Sequence, residues 1–126
     1  MIDTSTFEYE ETRLKDVYSA LKRNGINVYF PSVKVGDCTD KYVVVGDAGT
    51  AKHADFSSDV SILNITLFVP IQKYAEIASY TKEVRNAMKD LRPMILYNGI
   101  ETPAIFDENI KAYNKIIQYK FYSKLD

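Results

Sequence analysis

Between Asp59 and Val69 the chain reads Asp-Val-Ser-Ile-Leu-Asn-Ile-Thr-Leu-Phe-Val, a run dense in β-branched and aromatic residues that meets no glycine or proline until Pro70. Such a run is a strand long enough to cross a whole sheet. Side chains alternate across a strand, so one face carries Leu63, Ile65, Leu67 and Val69 and the other carries Val60, Ile62 and Phe68 beside Asn64 and Thr66. The first face is apolar throughout and asks for a layer of helices. The second is only half apolar, which leaves surface for a partner.

The remaining segments supply that layer and the rest of the sheet. A first helix is expected from Ser5 or Thr6, where Ser5 and Glu8 have capping-box spacing and Glu8, Glu10 and Glu11 suit the positive end of the helix dipole. Leu14, Val17, Tyr18 and Leu21 share one face of it, and Asn24-Gly25 is the stop signal. A short extended piece from Ile26 to Phe30 ends at Pro31, and turn residues around Gly36 to Asp40 lead into the strand Lys41 to Val45. Gly46 to Ser58 is polar and glycine-containing and is expected as a long connection, either functional or an idle hairpin tip.

A second helix is expected over Lys73 to Leu91, through Tyr74, Ile77, Ala78, Thr81, Val84, Met88 and Leu91, ended by Pro93. Met94 to Tyr97, the Asn98-Gly99 turn and Ile100 to Phe106 then suggest a loose hairpin, with Pro103 placing it at a sheet edge. Ala112 to Tyr122 is a second long strand, and antiparallel pairing with the first would bury both. The expected fold is α+β in the order α-β-β-β-α-β-β, a mainly antiparallel sheet with two helices packed on one face. Residues 1–126 form one domain, a length sufficient for a single core.

Composition narrows the function by exclusion. The 16 basic and 17 acidic residues give a formal net charge of -1, which excludes a polybasic nucleic-acid binder. Lys111, Lys115, Lys120 and Lys124 are the nearest approach to a basic patch, and they are diluted by Tyr113, Tyr119 and Tyr122. With Cys38 the single cysteine, an internal disulfide is impossible and a reducing compartment is the simpler setting. The first residues have neither the basic nor the apolar region of a secretory signal, and no apolar run reaches bilayer length, so a soluble protein without a membrane role is expected.

Catalysis is equally poorly served. His53 is the only histidine, so a two-histidine metal site is impossible, and Cys38 with His53 belongs to no nucleophile motif. Asp37, Asp40, Asp47 and Asp55 do not follow calcium-loop spacing, and Gly46-x-x-Gly49-Thr50 lacks the Gly-Lys-Ser/Thr ending of a phosphate loop. The reading is therefore no enzyme, no metal and no cofactor. The ten tyrosines, with no tryptophan, suit interfaces that are partly wet, and Tyr113 and Tyr119 are the candidates among them. Ile62 and Phe68 are the candidates on the second face of the long strand, and Asp47, Thr50, His53 and Phe56 those in the polar connection.

Six short phrases carry a resemblance. They are Leu14-Lys15-Asp16-Val17-Tyr18, Val28-Tyr29-Phe30-Pro31, Tyr42-Val43-Val44-Val45, Met88-Lys89-Asp90-Leu91-Arg92-Pro93, Glu101-Thr102-Pro103 and Ile117-Gln118-Tyr119. In these and in layout, over nearly its whole length, the chain resembles the tail-completion or tail-terminator proteins of long-tailed bacteriophages and prophages of Gram-positive bacteria. The resemblance implies a ring subunit, typically of a hexamer, that binds the end of the tail tube, stops its polymerisation and offers the surface on which the head docks. It implies as partners further copies of the chain, the tail tube protein and the head-neck connector proteins, with genomic DNA passing through the lumen without specific binding. Assembly in the host cytoplasm and residence in the tail or neck of the virion are implied likewise, and the Gly46 to Ser58 connection would touch tube or neck. Alternatives are a head-closure or connector protein of the neck and a non-viral α+β binding module.

Overall fold

The computed structural model of the chain describes residues 5–52 and 58–124. Helix α1 spans Ser5–Arg23 and buries Val17, Ala20 and Leu21, with Leu14 and Tyr18 at the margin of the same stripe. Its stop is the expected one. Gly25 adopts φ +77, which lets its N–H donate to Lys22 O (3.0 Å) and the Ile26 N–H to Leu21 O (3.1 Å). This paired arrangement satisfies the last carbonyls and seats Ile26 against Leu21 in the core. The Ser5 and Glu8 capping pair falls on side chains outside the described residues.

Among the described residues six strands form one mixed sheet: β1 (Val28–Tyr29), β2 (Tyr42–Lys52), β3 (Ser58–Pro70), β4 (Leu96–Glu101), β5 (Ile105–Asp107) and β6 (Ala112–Lys124). Their order is β1-β2-β3-β6-β4, with β5 also paired to β6, and only β1 with β2 is parallel. The two long strands pair antiparallel over their full length, from Ser58 opposite Lys124 to Pro70 opposite Ala112. That pairing puts Leu63, Ile65 and Leu67 in line with Tyr119, Ile117 and Lys115 on one face. Helix α2 (Ile77–Met88) lies beside α1 on the same face and buries Tyr80, Thr81, Val84, Ala87 and Met88. The core is this sandwich of two helices on one sheet face, and each fully buried Leu, Ile, Val or Phe in it stabilises the fold by ~1.5–3 kcal/mol. The α+β architecture, with both helices on one face, is the one the sequence predicts.

Three boundaries differ from expectation. The second helix is shorter, because Ile71–Glu76 and Lys89–Leu91 are 3-10 turns and Lys73 leaves helical geometry at φ -113, ψ 25. The tighter turn carries the chain off β3 before α2 can lie across the sheet. Tyr74 is consequently exposed and Ala78 faces solvent, while Tyr80 occupies the core. The loose hairpin is also displaced by one connection. β4 and β5 do not pair with each other, and both run along β6, so together they make an interrupted edge strand.

In that edge, Asn98 and Gly99 form an irregularity where the β4–β6 register shifts, Gly99 having φ +80. Asn98 Nδ2 donates to Gln118 Oε1 at 3.2 Å, which holds the irregularity against β6. The break containing Pro103 is pinned by Thr102, whose N–H donates to Ile116 O and whose Oγ1 accepts from Ile116 N–H, both at 2.9 Å. The true tight connection is the one from β5 to β6, passing through Lys111 at φ 54. Finally, most of the expected Gly46 to Ser58 loop is strand: β2 continues to Lys52, pairing opposite Asp59, with a bulge between Asp47 and Gly49. The bulge flips the parity of β2, so that Asp47 pairs opposite Leu63 and Gly49 opposite Ile62.

Candidate interaction surface

The sheet face turned away from the helices is divided. At one end the segment after β1 folds over it, and Cys38, Tyr42 and Ala112 form a second small core with Tyr29, Val44, Phe68 and Ile110 packed around them. Tyr42 and Phe68 stack at 4.8 Å with planes 15° apart, and Tyr29 meets Tyr42 edge-on at 5.6 Å. The cap is tied down by the Cys38 N–H donating to Ile110 O at 2.7 Å. Gly46 lies under it, where an added Cβ would stand 3.3 Å from Pro31 Cγ. Burial pushes the Tyr42 phenol up to about 12 and raises the Cys38 thiol as well. Cys38 therefore stays a neutral thiol, its Sγ directed at Asp40 O at 3.2 Å, a chemistry of packing and not of nucleophilic attack.

Beyond the cap the same face has no covering layer among the described residues. β3 presents Val60, Ile62, Asn64 and Thr66 there, and β6 presents Ile116, Gln118, Lys120 and Tyr122, paired in the order Thr66–Ile116, Asn64–Gln118, Ile62–Lys120 and Val60–Tyr122. All are half-buried by their neighbours in the sheet except Tyr122, which is 39% exposed. The result is aliphatic positions around a polar centre, where Asn64 Oδ1 is shielded from solvent and accepts no hydrogen bond among the described residues. Such a surface fits protein contact: enough apolar area to lose water, with polar groups that set register.

The candidate residues are distributed unequally over this geometry. Ile62 lies on the open face, and Phe68 on the same face beneath the cap. Asp47 is exposed on β2, and Thr50 pairs opposite Ser61 in the strand extension. His53 and Phe56 lie outside the described residues. Tyr113 and Tyr119 are on the helix face. Tyr113 is half-buried between Tyr74 (4.5 Å) and Phe106 (5.3 Å), and Tyr119 is 4% exposed in the main core, so its ring packs the fold and is not presented to a partner. Parity explains this: in β6 the odd positions through Tyr119 face the helices, and only the register with β3 says so. The same register adds Ile116, Gln118 and Lys120 to the open face, residues whose alternation is visible in the sequence but whose side of the sheet is not.

Among the described residues no group of His, Cys, Asp and Glu is placed to hold a metal ion, and no helix is long and apolar enough to cross a membrane. No protein-family model matches the chain, and no curated protein matches it.

Proposed function

We propose that this chain is a structural subunit of phage morphogenesis, closing head-to-tail into a ring at the end of the tail tube, where it stops polymerisation and offers the docking surface for the head. The observation that carries the reading is the divided sheet: one face sealed by both helices, the other capped at one end and, among the described residues, open at the other, where β2, β3 and β6 run on side by side. A heterologous ring requires two different complementary surfaces on each subunit, and the open sheet face and the end of the sheet where β2, β3 and β6 run past the cap are two such surfaces. The resemblance in short phrases along nearly the whole chain points the same way. Partners on this reading are neighbouring copies, the tail tube protein and the connector proteins of the neck, and the near-neutral charge suits a lumen through which DNA passes without being gripped.

Deletion of the gene in the phage or prophage that encodes it, followed by electron microscopy of induced particles, tests the reading. Filled heads beside separate tails, some abnormally long, are the expected outcome. Heads that lose their DNA would assign the chain to head closure instead. Normal particles would leave it as a non-viral α+β binding module.

A further inference from the structure

On the helix side, at the end of α2, lies a cavity of about 290 Å³ whose wall is basic: Lys82, Arg85, Lys89 and Arg92, with Tyr97 and Tyr119 behind them. Lys82, Arg85 and Lys89 recur at helical spacing along α2 and into the turn after it, and Arg92 follows where the chain becomes extended at φ -70, ψ 145. Lys82, Lys89 and Arg92 are exposed, and none of the three has an ion pair among the described residues. Arg85 is the held member. Its guanidinium lies 4.1 Å above the Tyr97 ring, and its Nη1 is 3.7 Å from Glu101 Oε2. Glu101 is itself shared, standing 3.7 Å from Lys115 Nζ and accepting from the Tyr97 hydroxyl at 3.2 Å.

Four cations thus converge on one cavity against a single carboxylate that a fifth cation also uses. Complementing the helix dipole accounts for Arg85 and Lys89, which sit in or just after the last turn, and not for Lys82 or Arg92. Exposed cations repel one another only weakly across water, but an anion seated in the cavity would be attracted by all four at once. A lone carboxylate would neutralise one charge of the four. A run of phosphates neutralises several, and arginine forks match phosphate oxygens in pairs. The volume stands at the lower end of small-molecule sites, enough for a diphosphate group.

We propose that this cavity is a binding site for consecutive phosphates, held by Lys82, Lys89 and Arg92 around an Arg85 oriented by Tyr97 and Glu101. The phosphates come either from a free polyphosphate, such as the diphosphate of a nucleotide, or from a nucleic-acid backbone. The site is independent of the ring reading, since it lies on the opposite side of the sheet from the open face.

The test is calorimetric titration of the full chain with sodium pyrophosphate at low salt, alongside anisotropy of a short labelled DNA duplex. The comparison variant is the triple K82Q/K89Q/R92Q, which keeps helix-compatible side chains at exposed positions. A second triple, K22Q/K34Q/K111Q, removes the same net charge elsewhere. The expected result is saturable pyrophosphate binding that weakens about tenfold or more in the first triple and stays unchanged in the second, with addition of salt weakening it further. Duplex that competes with pyrophosphate assigns the backbone as the source, and duplex that does not compete assigns a free polyphosphate. Absence of saturable binding to either probe, or equal loss in both triples, overturns the site.

Discussion

The two faces of β3 are built from one strand and do different work. Leu63, Ile65, Leu67 and Val69 are all at most 1% exposed beneath the helices, whereas Ile62, Asn64 and Thr66, which alternate with them, remain half-open to solvent. The lesson is that apolar content along a strand does not separate core from surface. The layer laid over each face does, and among the described residues that layer is complete on one side and stops at Tyr42, Phe68 and Ala112 on the other.

Truncation should separate the faces most sharply. Leu67→Ala leaves a cavity in the main core on the helix side of the sheet and is expected to cost ~2–5 kcal/mol in chemical denaturation. Ile62→Ala removes a side chain that still touches water and should cost under about 1 kcal/mol in the monomer. Equal costs would mean that something covers the second face in solution. If copies of the chain do so, the Ile62→Ala penalty grows with protein concentration, since association stabilises the folded state by mass action.

Alkaline titration compares the small core under the cap with the large one. Tyr42 is held protonated by burial on the second face, its phenol pushed up to about 12 from 10.0, and Tyr80 is raised further by burial on the helix face. A phenol whose folded value is raised contributes stability that is fully present below pH 10 and is lost as pH rises from 10 through its folded value. Stability should therefore fall in that window, less steeply in Tyr42→Phe and in Tyr80→Phe. Absorbance titration should show both phenols ionising after the exposed tyrosines. A Tyr42 that titrates with the exposed group would mean that the cap opens readily.

The cap offers a smaller and more local readout in Cys38, buried and hydrogen-bonded to its own turn. A thiol reagent should label it slowly in the native protein and fast after unfolding. Ile110→Ala, which thins the packing around Cys38, should raise the native rate without a matching loss of global stability. Equal acceleration of labelling and unfolding would show that the cap opens only with the whole domain.

Much of this architecture is legible in the residues. Long apolar alternation gives β3 and β6, the 3.6-residue stripe gives both helices, and Asn24-Gly25 gives the first helix stop. What escapes is whatever depends on pairing. Asn98-Gly99 has the composition of a tight turn, yet both flanking pieces find β6 a longer template than each other, and the pair becomes a strand irregularity. The extension of β2 to Lys52 is hidden because Gly46, Gly49 and Thr50 carry no apolar period, and β3 supplies the ladder. The side that Tyr119 faces follows from register alone. The basic cavity is hidden for a similar reason: Lys82, Arg85 and Lys89 read as a solvated helix face until Arg92 and the β4–β6 tyrosines close around them.

The smallest effect is expected where the cap meets the sheet. Gly46 pairs opposite Asn64 in β2, and its φ is not in the left-handed region, so alanine is admissible to the backbone there. Gly→Ala at such a position restricts the unfolded chain and gains ~0.4–1 kcal/mol. Against this, the new Cβ would stand 3.3 Å from Pro31 Cγ, a contact that requires the cap to yield by a few tenths of an ångström. The two terms nearly cancel, so G46A should shift stability by less than about 0.5 kcal/mol, in the range of surface changes. G46V, with two further methyls under Pro31, should destabilise and also speed Cys38 labelling. A G46V that leaves labelling unchanged would show that Pro31 moves independently of the turn holding Cys38, dividing the cap itself into two units.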